Sequence, residues 1–198
     1  MKKQIFFSLL AIAFASLAFV KPSGMFYNVD TANSSIQWKG YKVTGEHYGV
    51  VNLKSGALTV DDNGNFNGGS FIVDMNTITV LDLTGKGKES LEGHLKSADF
   101  FGIENFPTAK FVITKVIPKG KPGEYKVIGN MTIKNSTEEL RFDARVTEEA
   151  GKMTATADVR LDRSQYDIRF GSGSFFDNLG DKTIYDEFDL SIKLTAKK

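Results

Sequence analysis

Two histidines, no cysteine and a few dense charge clusters are all that this 198-residue sequence offers to reaction chemistry. Without cysteine, thiolate catalysis is excluded. His47 and His94 lie far apart with no second histidine at metal-ligand spacing, so a zinc site would need carboxylates brought in by the fold. No metal site is expected: His94 reads as a partly exposed helix residue, and His47 as a strand-end residue whose imidazole can hydrogen-bond a ligand head group. Gly85-Lys86-Gly87-Lys88 looks like a phosphate loop only superficially. The Walker spacing requires Gly where Asp82 or Val80 stands, and Ser or Thr where Glu89 or Gly87 stands, so a mobile loop before a helix is the reading. Gly171-Ser172-Gly173-Ser174 lacks the order of a nucleophile elbow. Asp162, Arg163, Asp167 and Arg169 read as a solvated charged face with surface ion pairs. No acid and base stand at a recognisable catalytic spacing, so a binding role is expected rather than an enzyme.

The elements that would position such residues are strands. Met153, Ala155, Ala157, Val159 and Leu161 alternate with Thr154, Thr156, Asp158 and Arg160, which is the period of a strand with one buried face. Phe188, Leu190, Ile192 and Leu194 alternate with polar residues in the same way. So do Leu140, Phe142, Ala144 and Val146; Tyr125, Val127, Gly129, Met131 and Ile133; Phe111 and Ile113; Phe71, Val73 and Met75; and Ile36 with Trp38. Turns are expected at Asp62-Asn63-Gly64-Asn65, Lys119 to Gly123, Asn135-Ser136-Thr137 and Glu149-Ala150-Gly151. Strands joined this tightly pair antiparallel. A meander of eight or nine of them buries its apolar faces by closing into a barrel, with a two-sheet sandwich as the competing architecture. Only Lys88–Ser97 reads as helical, with Leu91 and Leu95 four apart on one face.

The inward parity is light at Gly129, Ala144, Ala155 and Ala157, where a solid barrel would carry larger aliphatics. Around these stand Phe71, Phe111, Phe142, Met131, Met153 and Phe188, an apolar lining suited to a hydrocarbon chain. The alternative is that bulky neighbours such as Trp38 or Phe100 and Phe101 fill the space, and periodicity leaves the two open.

Lys2 and Lys3 precede an apolar run from Ile5 to Val20, with Ser16-Leu17-Ala18 as a small-x-small site, the layout of a secretory leader. Residues 1–18 are therefore expected to be a cleaved signal peptide and 19–198 a single domain, periplasmic or secreted. Without the two leader lysines, 23 basic residues face 24 acidic ones. That balance provides no electrostatic footprint for nucleic acid.

The segments YNVDTANSSIQWKGYKVTGEHYGVV, LEGHLKSADFFGIENFPTAKF, YKVIGNMTIKN and DRSQYDIRFGSGSFFDNLGDKTIYDEFDLSIKL together resemble the YceI-like family of exported lipid-binding proteins. The resemblance implies an all-β fold: an eight-stranded antiparallel lipocalin-like barrel with one short helix between strands. Its apolar channel would hold a polyisoprenoid or an isoprenoid quinone, with no other cofactor, and a homodimer is implied too. By position, Leu95, Phe100, Phe101 and Phe106 become channel-wall candidates. The barrel parity supplies Trp38, Phe71, Val73, Phe111, Ile113, Met131, Phe142, Ala144, Met153, Ala155, Ala157 and Phe188. The competing reading is a filled barrel serving as a structural or stress-related interaction protein, with Phe175 and Phe176 as its contact patch.

Overall fold

Each antiparallel alternation in the sequence becomes one stave of a closed wall. The computed structural model describes residues 24–198, so the leader expected over residues 1–18 lies outside the described residues. The strands are β1 (Met25–Val29), β2 (Ser35–Lys42), β3 (Gly45–Val60), β4 (Phe66–Val80), β5 (Thr108–Pro118), β6 (Glu124–Ile133), β7 (Ser136–Glu149), β8 (Lys152–Asp162) and β9 (Ile184–Lys197). From β2 to β9 each strand pairs with the next, and β2 pairs with β9 to close the ring.

Nine strands make eight staves because β1 and β2 share one position. Tyr27 of β1 faces Leu58 near the end of β3, whereas Ile36 of β2 faces Val51 further back, and both strands also pair with β9. The break between them is a 3-10 turn at Thr31–Asn33, capped by the Asp30 carboxylate, which accepts from the backbone N of Asn33. The architecture is thus the antiparallel eight-stave barrel rather than the sandwich.

The turns lie close to where their residue types require them. Between β3 and β4 the Asp61 carboxylate accepts from the backbone N of Asn63 and of Asn65, and Gly64 takes φ +82°, a region that favours glycine. The β6–β7 turn uses Lys134 at φ 55°, one residue earlier than expected.

One helix, α1 (Gly85–Lys96), follows β4. Gly85–Lys88 form its first turn, not a mobile loop ahead of it, and Thr84 stands at its N-cap. The Glu92 carboxylate accepts from the Val80 backbone N at 2.9 Å and so ties the helix to the end of β4. Leu95 is its buried residue, pressed toward the barrel as the four-residue leucine spacing implies.

The wall is not paired evenly. β8 and β9 pair from Lys152↔Lys197 to Asp162↔Glu187, the whole length of β8. β7 and β8 pair only from Glu149↔Lys152 to Ala144↔Ala157, although both strands run on, β7 back to Ser136 and β8 to Asp162.

Candidate ligand-binding cavity

Ala144, Ala155 and Ala157 come from the adjacent strands β7 and β8, and the space their short side chains leave is not refilled. A cavity of about 200 Å³ runs along the barrel interior beside them. Its wall is almost wholly carbon. Trp38, Phe71, Val73, Phe111, Ile113, Met131, Phe142 and Phe188 line it together with the three alanines, and Leu95, Phe100 and Phe101 reach it from α1 and the segment that follows. Phe111, Ile113, Leu140, Phe142, Phe188, Leu190 and Ile192 are only partly buried although they line the interior. In a solid barrel, side chains on this face would be sealed.

Two of the expected wall residues stand elsewhere. Met153 is 2 % exposed but belongs to the packed floor, at the end of the barrel where Tyr27, Val60 and Ala196 are also buried. Its place near the start of β8 puts it below the hollow. Phe106 is half-buried against the turn at Gly102, where a β-carbon would lie 3.4 Å from its Cδ2. The backbone N of Phe106 donates to the Gly102 carbonyl, so the ring folds onto its own loop. Gly129 also leaves no room, because the Phe111 ring stands 2.5 Å from the position its β-carbon would take.

Periodicity missed Arg163. The charge cluster containing it reads as a solvated face, yet Arg163 is 2 % exposed and lines the cavity. It opens the 3-10 turn Arg163–Tyr166 directly after β8. Its Nη1 donates to the Ile168 carbonyl at 2.8 Å, Nη2 to the Ile184 carbonyl at 3.0 Å and Nε to the Tyr185 carbonyl at 3.2 Å. Asp186 Oδ1 stands 3.2 Å from Nη2 without accepting a hydrogen bond, so that pairing is coulombic. The Phe100 ring lies 5.5 Å from the guanidinium carbon. Burial pushes the guanidinium down from the ordinary arginine value, against the opposing pull of Asp186 and Asp162. With three of its five N–H donors on backbone carbonyls, Arg163 staples the long β8–β9 connection to the barrel end. The available signal was its position immediately after a strand in the D-R-x-x-Y order, but only the fold makes it internal.

That connection is anchored a second time by Asp186, whose Oδ2 accepts from Ser172 Oγ at 2.9 Å and Ser174 Oγ at 2.6 Å. Phe175 and Phe176, in the same connection, are 40 % and 51 % exposed. His94 lies 4.3 Å from Phe170, ring centre to ring centre, with Nε2 buried and unpartnered. His47 sits near the start of β3 with Nδ1 2.7 Å from Asp82 Oδ2. Burial opposes ionisation of Asp82, but the hydrogen bonds from His47 and from the Tyr48 backbone N outweigh it and hold the carboxyl below its usual range. The two histidines thus brace the outside of the site and do not line the cavity.

A closed antiparallel barrel around an apolar hollow, with one helix pressed against its end, defines a lipocalin-like binding fold. Within that class the chain belongs to the YceI-like domain family, whose model matches residues 27–196. It is similar to Protein YceI of Salmonella agona, 29% identical over 147 residues that cover 70% of this chain and 72% of that protein. A UPF0312 protein of Staphylococcus aureus (strain USA300) is 44% identical over 55 residues, so the match covers only 28% of this chain and 29% of that relative. Among solved structures, a polyisoprenoid binding domain from Saccharophagus degradans, described as implicated in plant cell wall breakdown, superposes with a TM-score of 0.63. It is 11% identical, and the superposition covers 86% of this chain and 97% of that one. At that identity the likeness is one of fold.

Proposed function

We propose that this protein is an exported bacterial binding protein that holds one long isoprenoid chain, a polyisoprenoid or the tail of an isoprenoid quinone, inside its barrel. The carrying observation is the hollow of about 200 Å³ inside the barrel, bounded by carbon on almost every side. Burying apolar surface stabilises a bound chain by roughly 25 cal/mol per Å², so a prenyl tail needs few polar contacts to be retained. Arg163, the cationic side chain at the wall, spends three of its five N–H donors on backbone carbonyls and so serves the architecture. The family and the polyisoprenoid-binding neighbour lend the ligand class its support, and the leader-like residues 1–18 support export. The proposed role is carriage or storage without chemical conversion.

The test is organic extraction of natively purified protein followed by mass spectrometry, with titration of the emptied protein by polyprenols. An isoprenoid lipid at near-equal molar ratio, or saturable polyprenol binding, is expected. Repeated recovery of no lipid together with no uptake of added polyprenol would overturn the assignment.

A further inference from the structure

Among the described residues two junctions of the barrel wall are laddered over only part of their length: β4–β5, paired from Asp74↔Thr108 to Ser70↔Val112, and β7–β8. At the first, the Phe66 ring of β4 reaches past β5 to the Tyr125 ring of β6, 5.4 Å between centres, and covers the gap; the second has no such cover. Beyond Ala144↔Ala157, strands β7 and β8 continue in the same direction without pairing, over residues 138–143 on one side and 158–162 on the other. Side-chain bonding respects the same divide. Asp143 pairs with Lys119 and Arg141 with Glu139, all on the β5–β7 side, whereas Arg160 pairs with Asp189 and Glu187 of β9. Among the described residues, no hydrogen bond or ion pair joins 138–143 to 158–162. At the far end of the seam the Arg163–Tyr166 turn packs against β7, with Tyr166 and Ile168 buried, and Lys134 Nζ donates to the Asp167 carbonyl at 3.2 Å. Inside, both lips face the hollow: Leu140, Phe142 and Ala144 from β7, and Ala157, Val159 and Leu161 from β8.

We infer that the β7–β8 seam is the door through which an apolar chain enters and leaves the cavity. Parting it costs side-chain contacts and the single Lys134–Asp167 latch. Parting any fully paired neighbour would break a run of backbone hydrogen bonds, each expensive to leave unmade in a wall with apolar surroundings. Because the lips themselves line the hollow, even partial opening exposes it sideways along its length, which suits a long chain better than threading from one end. This inference rests on the proposed ligand class, and its test separates the two.

The chain has no cysteine, so an engineered pair is unambiguous. Asp143 and Asp158 are the outward-facing positions next beyond the last rung. In the full-length protein D143C/D158C is joined as a disulfide, or by a short bis-thiol-reactive linker if the gap is wider. The probe is retinol, an isoprenoid alcohol that quenches tryptophan emission by energy transfer, and Trp38, the one tryptophan, lines the cavity. Cross-linking is expected to slow retinol uptake and release about tenfold or more, because opening then strains a covalent constraint, with equilibrium occupancy unchanged and the rates restored by reduction. A control pair at D158C/S191C, across the complete β8–β9 ladder, should leave the rates unaltered. Lys134→Ala, which removes the latch, should speed release by roughly 1.5- to 5-fold. Unchanged rates in the cross-linked seam overturn the door while leaving the cavity assignment intact; no retinol or polyprenol binding by the wild-type chain overturns both.

Discussion

Gly129 on β6 and the alanines at 144, 155 and 157 look equivalent in the alternation, but they do opposite things in the barrel. At Gly129 the Phe111 ring of the neighbouring strand moves in, and a β-carbon there would meet Phe111 at 2.5 Å and the Val112 carbonyl oxygen at 2.5 Å. At Ala144, Ala155 and Ala157 no aromatic refills the space, and the cavity begins. A small inward residue therefore permits either a close packing or a hollow. What decides is whether an adjacent strand carries a ring that can lie over it. The same closure by a neighbouring ring recurs at Gly56, where Phe71 Cδ1 lies 2.7 Å from the would-be β-carbon.

The comparison breaks most visibly at the staple that closes the end of the hollow. Arg163→Met should cost about 3 kcal/mol, since it leaves Asp186 without its cation and three carbonyls without their donor; urea unfolding monitored by Trp38 fluorescence measures it. Next comes Gly129→Val, which overpacks the filled region and should cost about 1–3 kcal/mol in the same assay. The mirror experiment sharpens the contrast. Ala144→Phe and Ala157→Phe fill open space, so stability should change by less than about 1.5 kcal/mol while polyprenol uptake falls sharply in a direct binding titration. Equal loss of stability at Gly129 and Ala144 would erase the distinction.

The smallest effect belongs to the outer face of the wall. Hydrogen bonds from Arg160 hold Asp189 down to about 2 against its partial burial, with Tyr41 Oη adding a further bond. A depressed carboxylate contributes stability above its unfolded value of about 3.9 and loses that contribution as the pH falls through about 2. Asp189→Asn should therefore cost at most about 1 kcal/mol at neutral pH, given the exposure of Arg160. The difference from wild type should fade between pH 4 and 2 in acid-unfolding curves.

Strand positions were legible because a half-buried strand must alternate, and the turns because Asp61 and Gly64 have local reasons to be where they are. The helix begins three residues before the expected Lys88. Glycines at 85 and 87 disfavour helix on propensity, while the Glu92 bond to Val80 N is a tertiary contact that local rules do not contain. For the cavity, parity placed Trp38, Phe142 and Phe188 on the wall but carried Met153 along with them, because alternation reports which face a residue occupies and not its height along the barrel axis. Phe106 was misplaced by proximity to Phe100 and Phe101, since the Gly102 turn reverses the chain between them. Arg163 reads as surface in the sequence because a charge among charges carries no mark of burial; its partners are backbone carbonyls at residues 168, 184 and 185.

By itself, then, the order of residues determined a run of antiparallel strands with one apolar face to bury, in a barrel or a two-sheet sandwich, since period-two alternation between tight turns allows that face only those two coverings; the β2–β9 pairing that closes the barrel joins distant parts of the chain. Whether the face met itself as a solid or enclosed a hollow was decided only in three dimensions. So were the inward turn of Arg163 and the divergence of β7 from β8. Each of these depends on which side chains and ladders from distant parts of the chain arrive at the same height, and that distance is not written in any local pattern.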